Sequence, residues 1–274
     1  VLASIILWRQ AKEDLGEQVA RATVISVSLF PTSFFFSAIY SEGVFLLLSV
    51  IVYFFSVHRK FALASVAVAF ASVTRISGVF LIVIVLMELY EQRQPRWKWR
   101  AIGCGALSVS MMIGYQVYLW GTQGSPLAFI STQQVEMGRS ITIPGLAWMD
   151  GMAMILWGYG GFEGNWFMRV VGVQDWLALT LFTLCGIVLP FVVSRRSLIA
   201  YIWCMICFLH ASHGPHSLGC FAMSRYVLAV FPGFIVIGWL MTRLTQATRT
   251  VVWALSGLLL CFLTGWFGNW GWVA

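Results

Sequence analysis

Charge is what this sequence has least of. Of its 274 residues only 10% are Asp, Glu, Lys or Arg, against roughly 25% in a soluble domain. That scarcity excludes an ordinary water-solvated globule. A chain that is 60% hydrophobic and 16% aromatic is solvated mainly by lipid. The 6 cysteines fall in apolar runs apart from Cys220, so no disulfide framework is expected. The one C-x-x-C, Cys204 to Cys207, lies inside such a run and lacks any thioredoxin-like context. There is no phosphate-cradling P-loop, no dinucleotide fingerprint, no internal repeat and no low-complexity tract. The net charge of +7 would fit nucleic acid, but no basic patch interleaved with aromatics stands on a polar background. Lys and Arg instead sit at the ends of apolar runs, which points to a membrane as the partner and not to nucleic acid.

What is present is a succession of apolar runs. The expected fold is all-α, a polytopic transmembrane helical bundle forming a single domain over 1–274. The length leaves room for about nine or ten spans of about 20 residues each. Val1 stands inside an apolar run that stops at Trp8, which reads as the tail of a helix whose start is missing, so an N-terminally truncated fragment is expected. Residues 9–21 read as a mixed-charge connector. Apolar spans follow at about 22–40 and 43–57, then the basic turn His58-Arg59-Lys60. The run 61–90 is interrupted by Thr74-Arg75-Ile76-Ser77-Gly78, which predicts short or re-entrant helices, acceptable where protein or a watery cavity covers the break. After a span at about 101–120, residues 121–172 form a long loop region with short interfacial helices. Later spans fall at about 176–194, on to about 209, and from the loop 210–224 to about 240, before a last apolar run.

If residues 9–21 are cytoplasmic, alternate connectors collect all but four of the 17 Lys and Arg. The four exceptions are Arg75, Arg139, Arg169 and Arg225. The bias holds only if 61–90 crosses an even number of times, as a hairpin. Arg75, the long loop, the histidine loop and Arg225 then share the non-cytoplasmic face with a polar elbow, Tyr40-Ser41-Glu42-Gly43. Glu42 is a carboxylate between two apolar runs, costly in lipid and tolerable in a watery cleft or a solvent-facing turn.

Four stretches on that face carry a resemblance: Pro31 to Glu42 (PTSFFFSAIYSE); Thr74 to Gly78; Pro126-Leu127-Ala128-Phe129 leading to Gln133 and Gly138-Arg139; and Ser224-Arg225-Tyr226 leading to Phe231-Pro232. Together they resemble the mannosyltransferase family of glycosylphosphatidylinositol-anchor synthesis, the second mannosyltransferase or phosphatidylinositol glycan class V, and its prokaryotic relatives. The resemblance implies a membrane-embedded glycosyltransferase architecture of the GT-C kind. It also implies transfer of a hexose, mannose in the family, from a polyprenyl-phosphate donor to a glycolipid or other glycan acceptor, by inverting displacement and without cofactor or metal. The location implied is a bacterial inner membrane or the endoplasmic reticulum membrane, with the active face non-cytoplasmic. The family's catalytic aspartate lies in a first outer loop that precedes every matched segment. Glu42 is therefore expected as a second acidic residue of the site rather than its principal base.

Such transfer needs a proton acceptor and cations for the departing phosphate. Glu42 is the candidate catalytic carboxylate. Arg75, Arg225, Arg139, Tyr40 and Tyr226 are candidate substrate-binding residues. Arg75 and Arg225, at the edges of apolar helices, either converge on one phosphate, which their planar forks bind in pairs, or snorkel to headgroups as interfacial anchors. Trp148, Trp157, Tyr159, Trp166 and Trp176 could stack on sugar faces, but aromatics crowd every membrane interface and an aromatic belt is the favoured reading. His210, His213 and His216 are spaced for one side of a helix turn, but no ligands that would close a metal site are identifiable. The competing class is a transporter or flippase for lipid-linked substrates, which would favour inverted repeats and paired charges in mid-helix.

Overall fold

The computed structural model describes residues 1–92, 96–135, 138–157, 166–214, 219–269 and 271. The chain is all-α. Among the described residues it forms thirteen α-helices and one short antiparallel pairing, β1 (Ser140–Ile141) with β2 (Ser212–His213). The helices used below are α1 (Leu2–Leu15), α2 (Glu17–Leu29), α3 (Glu42–Val57), α4 (Phe61–Thr74), α5 (Ile82–Glu91), α6 (Trp97–Gln123), α7 (Ala128–Val135), α8 (Leu146–Trp157), α9 (Trp166–Val192), α10 (Arg196–Ala211), α11 (Met223–Tyr226), α12 (Phe231–Arg243) and α13 (Gln246–Gly268).

Three of these, α6, α9 from Arg169 onward and α13, are long and apolar enough to cross a membrane. A fourth crossing arises if Met223–Ala229 and Phe231–Arg243, bent by 89° at Val230, count as one. The number falls short of nine or ten because several apolar runs make short helices. With 16 residues in α3 and 14 in α4, each rises about 24 Å or less, under the roughly 30 Å of a hydrocarbon core.

The expected connector at 9–21 is helical. Its charges other than Asp14 lie on helix surfaces, where Arg9 pairs with Glu13 and Arg21 with Glu17 at i,i+4 spacing. The chain turns only at Gly16, whose φ of 90° suits a residue without Cβ. The span expected over 22–40 is likewise interrupted. Helix α2 ends at Leu29, Phe30 is extended, Pro31 cannot donate to the preceding turn, and Ser33–Phe36 form a single 3-10 turn.

The core is aromatic and close-packed. Phe30, Phe182 and Phe234 meet edge to face at 5.1 to 5.9 Å, joining the end of α2 to α9 and α12. The interface of α2 with α12 depends on Gly238, where a Cβ would come within 2.6 Å of the Thr23 backbone nitrogen. Such small-residue contacts let helices approach where lipid supplies no hydrophobic drive. The break at Arg75 is a reversal: past it the chain folds back so closely that a Cβ on Gly78 would sit 2.3 Å from the Ala71 carbonyl carbon. Glycine is required there.

Candidate functional site

Each candidate side chain stands where a helix begins or breaks. Glu42 is the first residue of α3, where the helix dipole favours a carboxylate. Arg75 is extended, with φ −151° and ψ 140°, between α4 and the 3-10 turn Ile76–Leu81. Arg139 follows α7, its backbone N–H donating to the Gln133 carbonyl at 2.9 Å, and enters β1. Arg225 and Tyr226 form half of the one-turn helix α11.

These four breaks meet. Oε1 of Glu42 lies 3.1 Å from Nη1 of Arg75 and 3.0 Å from Nε of Arg225. The first contact is a hydrogen bond; the second is an ion pair off the hydrogen-bonding line, which leaves Arg225 Nε without a true acceptor. The second Glu42 oxygen, Oε2, is buried with no hydrogen-bond partner among the described residues. The three side chains are only 2%, 11% and 15% exposed, so the cluster is screened from water.

Tyr226 is its hub. The guanidinium carbons of Arg75, Arg139 and Arg225 stand 4.7, 4.8 and 5.2 Å from its ring centroid. Its hydroxyl accepts a hydrogen bond from Arg139 Nη1 and another, at 3.5 Å, from Arg225 Nη2. On its other side Arg225 stacks on Tyr40 at 5.1 Å and Phe35 at 5.5 Å. The cation–π contacts spread charge that three adjacent guanidiniums would otherwise concentrate. Thus the cluster brings together all six expected residues. Glu42's own carboxylate lies between Arg75 and Arg225.

A cavity of about 310 Å³ opens beside the cluster. Arg75, Arg139 and Tyr226 line it, with Gln133, Gln134, Ser77, Ser140 and Ser212 as further polar groups. Its apolar wall comes from Ile76, Phe129, Ile130, Met205, Phe208 and Leu209. Glu42 and Arg225 do not line it. The volume lies at the lower end of the roughly 300–1,000 Å³ of small-molecule sites.

Asp175, buried in α9, accepts the backbone N–H groups of Ala222 at 2.7 Å and Ser224 at 2.8 Å. This holds Ala222 in the left-handed region, with φ 61°, and sets the start of α11. Gln174 donates to the Ser224 hydroxyl at 3.1 Å, and the Thr32 hydroxyl donates to the Ser224 carbonyl at 2.7 Å. Two distant segments therefore clamp the turn that presents Arg225 and Tyr226. An aspartate within an apolar run signals such a buried task, but its partners are 47 and 49 residues away and no spacing reveals them.

Other candidates lie elsewhere. His213 Nε2 is 2.8 Å from Asp150 Oδ2, and His210 Nε2 is 2.9 Å from the Thr183 hydroxyl, so these two histidines serve separate partners. Among the described residues no group of three metal-ligating side chains forms. Trp148 and Trp176 pack on each other at 5.2 Å, and Trp148 donates to Thr180. Trp157 is exposed, as is Arg169. Tyr159 and His216, with the side chain of Trp166, lie outside the described residues.

The class defined so far is an all-α chain with three helices fit to cross a membrane and a buried arginine cluster at the head of an apolar cavity. Comparison with protein-family models, with curated proteins and with solved structures found no match.

Proposed function

We propose that the chain is a multi-pass membrane glycosyltransferase. In this reading it moves a hexose, with mannose the leading candidate, from a polyprenyl-phosphate donor to a glycan or glycolipid acceptor on the non-cytoplasmic face. The observation that carries this is the pairing of Arg75 and Arg139 with an apolar wall in one cavity. A lone phosphate needs the arginines but not Phe129, Met205, Phe208 and Leu209; a lone lipid needs the wall but not the charges. A phosphate esterified to an isoprenyl chain uses both. The cavity is of a size for the head of such a lipid, with the remaining chain in the bilayer.

The phosphate would lie against Arg75 and Arg139, whose forked donors bind its oxygens in pairs. Gln133, Gln134, Ser140 and Ser212 supply donors and acceptors for sugar hydroxyls. Glu42, tied to two guanidiniums and away from the cavity wall, acts here as a positioning carboxylate. It holds Arg75 and Arg225 in place instead of taking the acceptor's proton.

The test is transfer of radiolabelled mannose from a polyprenyl-phosphate mannose to a glycolipid acceptor by the purified protein in nanodiscs. Arg139→Gln, which removes one charge-assisted contact worth about 1.5–3 kcal/mol, is expected to reduce transfer at least about tenfold. Wild-type transfer by Arg139→Gln, or none by the unmodified protein with several sugar donors, would overturn the reading.

A further inference from the structure

We infer that the cavity is matched in charge to a dianionic phosphate monoester, the carrier lipid after its sugar has left, and not to the monoanionic phosphodiester of the loaded donor. The inference rests on the cavity being a lipid-phosphate site, as proposed above.

Charge balance distinguishes the two ligands. Three guanidiniums and one carboxylate meet around Tyr226. Glu42, shared between Arg75 and Arg225, offsets one of the three positive charges, so the cluster keeps two. Arg75 and Arg139 line the cavity, so the face offered to a ligand carries two positive charges. The other nearby carboxylates do not line the cavity: Asp175 turns to the backbone N–H groups of Ala222 and Ser224, and Asp150 lies against His213. Tyr226 adds a third donor. Its oxygen already accepts from Arg139 and Arg225. Its own proton makes no hydrogen bond to any described residue, and the ring lines the cavity.

A phosphodiester brings one negative charge to this face and a monoester brings two above its second pKa of about 6. During transfer the electron pair of the anomeric C–O bond leaves with the phosphate. The acceptor oxygen forms the new bond to the anomeric carbon, and its proton passes to water. The phosphate thus goes from one negative charge to two as the bond breaks. A face that fits the second state stabilises the transition state more than the ground state. The same match makes the enzyme retain its spent carrier.

Citronellyl phosphate and its methyl phosphodiester share one chain and differ by one charge. Both are titrated calorimetrically into the purified protein in detergent at pH 8, where the monoester is a dianion. The monoester is expected to bind at least about tenfold more tightly. In Arg139→Gln one of the two facing charges is gone, and the preference is expected to shrink below about threefold while the diester still binds. Equal affinities in the unmodified protein, or a preference for the diester, would overturn the inference while leaving the glycosyltransferase reading intact. An unchanged preference in Arg139→Gln would remove Arg139 from the argument and overturn it as well. Conversely, a monoester preference in a protein that transfers no sugar would uphold the charge match and sink the transferase.

Discussion

Glu42→Gln removes one charge from the middle of the cluster and almost nothing else, because the side chains have nearly the same shape. In the native protein one carboxylate oxygen serves both Arg75 and Arg225 at 3.0–3.1 Å. All three side chains are at least 85% buried, so solvent does not screen the loss. Breaking a buried ion pair by removing one partner costs about 3–5 kcal/mol, since the other charge stays buried. Here two guanidiniums are left facing each other, which places the cost at the upper end. For a chain of this size the change corresponds to a drop in Tm of about 6 °C or more. Thermal unfolding in detergent, followed by tryptophan fluorescence, measures it. The drop is expected to be similar at low and high salt, because a buried pair is little screened. The double variant Glu42→Gln, Arg225→Gln is expected to be more stable than the sum of the two single losses predicts, by at least about 1 kcal/mol. A Tm within about 1 °C of the native protein, or strictly additive losses, would refute the view that this carboxylate holds the site together.

Tyr226→Phe keeps the ring beneath three guanidiniums and loses only the hydrogen bonds accepted by the hydroxyl, about 1–3 kcal/mol, whereas Tyr226→Leu loses these and also three cation–π contacts of about 0.5–2 kcal/mol each and should lower Tm clearly further. Equal Tm values for the two variants would contradict the hub role. Gly238→Ala pushes a methyl group into the Thr23 backbone and is expected to destabilise by about 1–3 kcal/mol, read in the same melts; an unchanged Tm would mean α2 and α12 are less closely packed than described. Cysteines placed at Lys98 and Gln123, in a background without native cysteines, should react with an impermeant label from opposite sides of sealed vesicles, because α6 between them is long enough to cross. Labelling from one side would break the shared-face argument.

The sequence makes the all-α class legible through hydrophobic runs and scarce charge, and it singles out Glu42, Arg75 and Arg225 by their positions at breaks in those runs. It is silent on how the breaks meet. Glu42 and Arg75 are 33 residues apart, and Arg139 and Tyr226 are 87 apart. Nothing in local periodicity says that the anion for two arginines is a third residue of the chain. Helix lengths escape the sequence for a related reason. An apolar run such as 22–40 has the composition of a span, yet Phe30 and Pro31 divide it, and tertiary contacts decide that the division becomes a change of direction. The mixed charges of 9–21 read as a connector by sign alone, whereas the i,i+4 spacing of Arg9 with Glu13 and of Glu17 with Arg21 is itself a helix signal.

A second buried ionic cluster sharpens the choice between transfer and transport. Eleven residues along α3 from Glu42, about 16 Å of helix rise, the Tyr53 hydroxyl donates to Asp14 Oδ2 at 2.6 Å. Arg195 lies 3.6 Å from the other Asp14 oxygen and 3.8 Å from Glu88. The Glu88 oxygens also accept from Ser197 at 2.6 Å and Gln92 at 2.9 Å. Every carboxylate oxygen there has a partner, and the cluster ties α1, α3, α5 and α10 together. At the Glu42 end the balance is reversed: one carboxylate oxygen has no hydrogen-bond partner, and two arginines line a cavity. An alternating-access transporter needs both ends to open in turn. One cluster whose carboxylate oxygens are all engaged and one with a carboxylate oxygen left over beside a cavity instead suit a protein that is locked at one end and does its chemistry at the other. This contrast supports transfer at a single face over passage between two.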